Sequence, residues 1–317
     1  MKKKLLVGKS EEKMRLDLFL AIYLDGFTRS FLKKQIEENR VKVNGEVEFK
    51  ANYRVKEGDK IEIQIEEEQT PDDILPEEIE IDVLYEDEDL VAVNKPVGMV
   101  VHPATGNFSG TLVNALLHKY KDLKHIGKRI RSGLINRIDK DTSGIVLVGK
   151  TNKALWFYTR QFANREVFKQ YLAVVKGDFS KTLKGEEEIQ VTNYIGRNPK
   201  NRLKFAVVTP RKGRLAKTKF EMLGSSKNKK YSFLSAQIET GRTHQIRVHL
   251  NYLGFSVVGD KLYSGLEYDR LLLHAYSVGL RSLEGENLIV KAGLEGKFRK
   301  FLQENFDEDI YKKFVGS

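Results

Sequence analysis

Residues 61–94 carry fourteen carboxylates and not one lysine or arginine. Within this stretch Pro71 and Pro76 bracket Asp72-Asp73-Ile74-Leu75, and fixed φ angles with missing amide donors oppose a continuous helix or a central strand there. A 317-residue chain broken in this way does not build one uninterrupted core. The break predicts a linker at 67–77, a small unit at 14–66 before it and a larger unit at 78–317 after it. The other 283 residues hold 55 basic and 30 acidic groups, so a surplus of 25 lies beneath the formal net charge of +11. Such a surplus suits a polyanionic partner.

Composition removes several chemistries. There is no cysteine, hence no disulfide framework, thiolate zinc site, iron–sulfur cluster or cysteine nucleophile. Near the N-terminus only Leu5-Leu6-Val7 forms an apolar run, far short of a secretory h-region, and no stretch reaches the roughly 18 apolar residues of a membrane span. A cytoplasmic, monomeric protein without a membrane segment is the expectation. No Walker-type loop or dinucleotide fingerprint occurs, so a nucleotide-cofactor enzyme is not expected. No His-Glu-x-x-His or comparable ligand spacing occurs either, so no metal is expected. His102, His244, His249 and His274 are read as structural groups or phosphate contacts.

In the small unit, Leu16, Phe19 and Leu20 recur at helical spacing, as do Phe31, Leu32, Gln35 and Ile36 after the candidate caps Thr28 and Ser30. Val41, Val43 and the Asn44-Gly45 pair predict a strand entering a tight turn, and Ile61, Ile63 and Ile65 a later strand. Arg29, Lys33, Lys34, Arg40 and Lys42 line the second helix and the strand after it. By charge alone they form a solvated face or a phosphate-binding one. Arg15-Leu16-Asp17, Thr28-Arg29-Ser30 and Val41-Lys42-Val43-Asn44-Gly45 resemble the S-four-like RNA-binding domain, and that resemblance implies docking on structured RNA without reading bases.

In the larger unit the apolar runs 90–93, 145–148, 171–175 and 246–250 read as strands, and 111–120 and 152–163 as helices. Trp156 reads as helix core. Three polar segments stand out. Asn94-Lys95-Pro96 through His102-Pro103 reads as a turn. Residues 133–144 pack Asn136, Arg137, Asp139, Asp141, Thr142 and Ser143 against a following core strand, where either chemistry or a well-bonded turn fits. Residues 239–249, taken as a strand, alternate Gln245, Arg247 and His249 with His244, Ile246 and Val248. Lys200, Arg202, Lys204, Arg211, Lys212, Arg214, Lys217 and Lys219 interleave with Phe205 and Phe220, as a second RNA face or a solvated hairpin.

Taken together and in order, these segments resemble the RluA-type pseudouridine synthases, in the RluD-like branch that carries an N-terminal S-four-like domain. The family signature His-Arg-Leu-Asp-x-x-Thr-Ser-Gly is similar to residues 136–144, with Asn136 in place of His and Ile138 in place of Leu. The last signature matches Thr240-Gly241-Arg242-Thr243-His244-Gln245-Ile246-Arg247-Val248-His249, and supporting matches are Tyr171 to Gly177, Gly259 to Tyr263 and Leu273-His274-Ala275. The resemblance implies an α+β fold, with a small αβ RNA-binding domain and a larger, mainly antiparallel catalytic domain. It also implies isomerisation of uridine in structured RNA without a metal or small-molecule cofactor, large-subunit ribosomal RNA first and transfer RNA as the alternative. Asp139 would be the catalytic carboxylate, and Arg247 would pair with it and keep it ionised. Tyr171 would stack on the flipped uracil and assist a proton transfer, Arg137 would fill the vacated stack, and Arg242 and His244 would contact RNA. Two rivals remain on the residues alone: a metal-dependent RNA hydrolase using Asp139 and Asp141, and a non-catalytic RNA-binding or ribosome-assembly factor.

Overall fold

The computed structural model describes residues 2–24, 27, 29–64, 74–103, 107–126, 132–294 and 296–315. Most of the expected linker at 67–77 lies outside the described residues, as do Thr28, Ile65 and the side chain of Ser30.

The first unit runs β1 (Lys2–Leu6), α1 (Leu16–Tyr23), α2 (Arg29–Glu37), β2 (Val41–Val43), β3 (Glu46–Val47) and β4 (Lys60–Gln64). Its antiparallel sheet has the order β1-β4-β2-β3, so it takes in a strand upstream of residue 14. Leu16, Phe19 and Leu20 of α1 and Leu32 and Ile36 of α2 close on Val41, Ile61 and Ile63, the apolar spacing read from the sequence. Asn44 and Gly45 adopt φ +52° and +89°, the left-handed pair that a two-residue hairpin turn requires.

The second unit continues with β5 (Asp82–Glu86), β6 (Leu90–Lys95), α3 (Leu112–Lys119), β7 (Ser143–Gly149), α4 (Asn152–Asn164), β8 (Phe168–Lys176) and α5 (Ser180–Leu183). Then come β9 (Glu188–Arg197), β10 (Phe205–Val208), β11 (Arg214–Ser225), β12 (Tyr231–Ile238), α6 (Gln245–Tyr252), β13 (Leu273–Arg281), β14 (Asn287–Lys291), α7 (Gly296–Asn305) and α8 (Glu308–Tyr311). The strands form one sheet in the order β10-β9-β11-β12-β8-β13-β7-β6-β5, with β14 added to β13. Only β13 with β7 is parallel among the pairs described, so the fold is α+β with a mainly antiparallel sheet.

β7 is buried along its whole length. Val146 and Val148 pack with Val91, Val93, Leu112 and Leu116 on one face, and Ile145 and Leu147 with Leu90, Ala92, Ala154 and Tyr158 on the other. A strand covered on both faces reads as an unbroken apolar run, and its rigidity is lent to the polar turn that enters it. Gly144 ends that turn at φ +111°, where a Cβ would stand 2.3 Å from the Ala275 carbonyl oxygen. Only glycine allows β7 to lie against β13 there.

Two expectations are corrected. Residues 245–252 form a helix, not a strand. Ile246, Val248 and Leu250 alternate, but Gln245 and His249 also stand four apart, and both reach Thr218 Oγ1 on β11, at 3.0 and 2.8 Å. Those bonds favour the helical period over the β-branched bias. Trp156 is half-buried rather than core, and the Arg160 guanidinium lies 5.3 Å over its ring.

Among the described residues no helix is long and apolar enough to cross a membrane.

Candidate active site

The loop after β6, the turn before β7, strand β8 and the start of α6 enclose a cleft of about 900 Å³, within the size range of small-ligand sites. Asp139, Arg137, Tyr171, Arg242, His244 and Arg247 all line it. Six expected residues, spread from position 137 to position 247, thus meet in one place.

Asp139 is held from behind by its backbone. Its carbonyl accepts from Thr142 N at 3.1 Å, and the neighbouring Lys140 carbonyl accepts from Gly98 N at 2.9 Å. Lys95 completes the knot. Its side chain is fully buried, and Nζ donates to the carbonyls of Pro96, Met99 and Lys140 at 2.7, 2.8 and 3.0 Å. Burial drives this ammonium down to about 7, against the pull of Asp141 and Asp139. The segment that reads only as a turn in sequence is therefore a clamp between two loops.

Arg247 faces Asp139, with Nη1 at 3.5 Å from Oδ2. A second carboxylate holds it more closely. Asp260, itself buried, takes Nε at 2.7 Å and Nη2 at 2.8 Å, the fork geometry that fixes a guanidinium plane. Asp260 Oδ1 also accepts from Leu262 N and Tyr263 N, each at 3.0 Å. The Tyr263 ring lies 5.1 Å from the guanidinium carbon. Burial opposes the charge on Arg247, yet Asp260 and Asp139 hold it firmly protonated. The remaining Nη1 is thereby aimed into the cleft.

His244, the residue before α6, sits at φ +56°, with Nδ1 3.0 Å from the Tyr263 hydroxyl and Nε2 3.9 Å from Asp139 Oδ2. Burial lowers its pKa, against the attraction of Asp139. Tyr171 projects from β8 between Ala236 and Ala275 on the adjacent strands. Two small neighbours leave its ring face open to the cleft. Burial, then the Asp139 charge, raise its phenol. Arg137 is exposed at the rim. Arg242 Nε donates to the Leu215 carbonyl at 3.0 Å, and burial together with Arg214 and Arg165 lowers its pKa.

Asn136 has a structural explanation. Its Oδ1 accepts from Leu147 N at 2.7 Å and its Nδ2 donates to the Ile145 carbonyl at 3.3 Å, so both ends of its amide are spent pinning the turn to β7. Asp141 is exposed, and among the described residues no group of three or more His, Cys, Asp or Glu is placed to hold a metal.

On the first unit, Arg29 and Arg15 share the Asp17 carboxylate, at 2.9 Å each. Lys33 and Lys34 make helical pairs with Glu37 and Glu38 at 3.5 and 3.6 Å. Arg40 lies 3.5 Å from Glu38, and Lys42 is exposed on β2. In the β9–β11 region Phe220 is core rather than surface. Lys217 and Lys219 pair with Glu239 and Glu188 at 3.2 and 2.8 Å. The Arg197 guanidinium covers Phe205 at 4.9 Å.

Residues 89–252 match the RNA pseudouridylate synthase family, and residues 14–61 match the S4 domain. A ribosomal large subunit pseudouridine synthase D from Borreliella burgdorferi is 36% identical over 302 residues, covering 93% of this chain and 87% of its own. An uncharacterized RNA pseudouridine synthase from Aquifex aeolicus is 41% identical over 252 residues, covering 80% of this chain and 77% of its own. The solved structure of human RNA pseudouridylate synthase domain containing 1 shares the fold, with a TM-score of 0.55 at 22% identity over 71% of this chain and 94% of that one. With the clustered site and the S4 domain, these matches make the chain a member of the RNA pseudouridylate synthase family, an RluA-type, RluD-like isomerase acting on RNA.

Proposed function

We propose that Asp139 is the carboxylate that drives uridine isomerisation and that the substrate is large-subunit ribosomal RNA. The observation that carries the reading is the fixed trio at the cleft floor: Asp139, an Arg247 nitrogen 3.5 Å away, and Asp260 gripping that arginine from behind. A target uridine leaves its stack to reach the cleft, and its base lies on Tyr171. The C1′–N1 bond is cut, the base turns, C1′ joins C5, and the C5 proton leaves as N1 gains one. The overall change is an isomerisation, so no atom is gained or lost. Arg247 offsets the Asp139 charge and fixes its direction. Tyr171 also assists the proton transfer from C5. Arg137 fills the space that the base vacates, Arg242 and His244 meet the backbone beside it, and Arg29, Lys33, Lys34, Arg40 and Lys42 hold structured RNA through phosphates. The ribosomal assignment follows the names of relatives such as the Borreliella burgdorferi enzyme.

The test is pseudouridine mapping of total RNA from cells with the gene, without it, and carrying Asp139→Asn. Signals lost at defined large-subunit positions and not restored by Asp139→Asn support the reading. Loss in transfer RNA instead moves the substrate, and full restoration by Asp139→Asn removes Asp139 from the mechanism. In purified enzyme, undiminished turnover by Tyr171→Phe confines Tyr171 to stacking.

A further inference from the structure

Among the described residues, four buried side-chain polar atoms have no hydrogen-bond partner: His102 Nε2, Ser132 Oγ, Thr142 Oγ1 and Asn193 Nδ2. Two of them, on His102 and Thr142, belong to residues that line the cleft. Buried polar atoms in native proteins are almost always paired, so two orphans in one cavity mark places where a ligand completes the bonding.

The His102 atom has a defined character. Nδ1 stands 2.7 Å from the Pro103 carbonyl. A carbonyl only accepts, so Nδ1 carries the hydrogen, and in that tautomer Nε2 is the acceptor nitrogen of the ring. Its position is also defined. Lys95 ties the Pro96 and Met99 carbonyls to that of Lys140, and the carbonyls of Val100 and Val101 accept from Leu112 N and Val113 N at the start of α3, at 2.9 and 3.1 Å. His102 thus holds one fixed acceptor, closed to solvent in this structure, on a rigid wall.

Side-chain acceptors are few in this cleft. Arg137, Lys140, Arg242 and Arg247 are donors, Gln245 Oε1 and Asn136 Oδ1 already accept protein N–H groups, and His244 Nε2 is turned to Asp139 Oδ2, 3.9 Å away. Asp139 drives the isomerisation under the reading above, on which this inference rests. A uracil stacked on Tyr171 carries a single free ring N–H, at N3, flanked by two carbonyls. Cytosine carries a lone pair at N3. We propose that His102 Nε2 accepts the N3–H of the flipped base while the Thr142 hydroxyl donates to a flanking carbonyl, so that this pair selects uridine over cytidine. A ribose hydroxyl rotates to suit donor or acceptor and needs no fixed tautomer. A ring N–H does need one, and a site built to bond it rejects a base lacking it.

The test is a protein–substrate cycle under single-turnover conditions. RNA carrying uridine, 3-methyluridine or 2′-deoxyuridine at the mapped position is combined with wild-type enzyme, His102→Ala and His102→Gln. Wild type is expected to prefer uridine over 3-methyluridine by about 100-fold, the upper range for one buried acceptor left unpaired. His102→Ala lowers turnover of uridine about 10- to 100-fold, the range for one N–H left unpaired, and brings the two substrates within about 3-fold of each other. His102→Gln keeps an acceptor and most of the preference. An unchanged preference in His102→Ala overturns the inference, and coupling to 2′-deoxyuridine instead reassigns the contact to ribose and overturns it too. Wild type that converts no uridine removes the pseudouridine reading itself, and this inference with it.

Discussion

Replacing Asp260 tests whether Arg247 is a prepared cation or a passive neighbour of Asp139. In wild type Asp260 accepts four hydrogen bonds, two from Arg247 and two from backbone N–H groups, with both side chains of the pair almost wholly out of solvent, at 5% and 0% exposure. Asp260→Ala leaves a buried guanidinium without its partner, a loss of roughly 3–5 kcal/mol, and strands two backbone donors at about 1–3 kcal/mol each. These overlap, so a net loss of about 5 kcal/mol is expected. At roughly 2–4 °C per kcal/mol for a domain of this size, the melting midpoint falls by about 10–20 °C. Asp260→Asn keeps an oxygen for Leu262 N and Tyr263 N but sets an amide N–H against a guanidinium N–H. It costs about half as much, and kcat falls while RNA affinity holds, because Arg247 Nη1 no longer points at Asp139. Arg247→Met with Asp260→Leu replaces the whole pair by apolar bulk. That double variant recovers most of the stability and forms no pseudouridine. Calorimetry and single-turnover kinetics on the four proteins decide it. Asp260→Ala melting within about 3 °C of wild type, or a double variant no more stable than Asp260→Ala, would refute the account of a buried charge held for orientation.

Burial pushes His249 and His274 down to about 4. The unfolded chain therefore binds more protons between pH 6.5 and 4, and stability is full above that window and lost as pH falls through it, by about 3 kcal/mol per histidine. Denaturant titrations should show His249→Gln with a shallower acid slope, and an identical slope would discount the buried neutral ring. For Lys95, at about 7 in the folded state, wild type should gain on Lys95→Met by about 4 kcal/mol as pH rises from 7 to 10. A constant gap would mean that the three carbonyls keep the ammonium at its ordinary value. Asn136→Ala should lose about 1–3 kcal/mol through the unpaired Leu147 N–H while kcat stays within a few-fold, whereas a kcat collapse would draw Asn136 into the chemistry. Neutralising Arg29, Lys33 and Lys34 together should flatten the salt dependence of RNA binding by about 2–3 in log–log slope, and no change would place the RNA elsewhere.

Local signals were legible where a period and a boundary residue agree. The 111–120 helix is realised as α3 with Thr111 as its cap, and 152–163 as α4 with Thr151 capping Ala154 N at 3.0 Å. Asn44-Gly45 makes its tight turn. The failure at 245–252 has a definite cause, since alternation and helical spacing coexist in those eight residues and Thr218, far away in sequence, chooses between them. Asp260 illustrates the other limit. It sits in a segment that matches the family motif, yet nothing in its neighbours says that it grips an arginine thirteen residues upstream.

From residue order alone came the two-part organisation, the α+β class, the absence of thiol chemistry and, through the ordered motifs, the family, the RNA substrate and Asp139 as its expected carboxylate. Side-chain type and spacing carry that information because capping, periodicity and charge are local properties. The tertiary structure decided which partner holds Arg247, why Asn136 replaces the expected histidine, and that Lys95 is a buried clamp. It also left His102 and Thr142, both lining the cleft, with one unpaired buried atom each. These are questions of which groups remain unsatisfied once the chain has closed on itself, and hydrogen-bond saturation is a property of the packed whole.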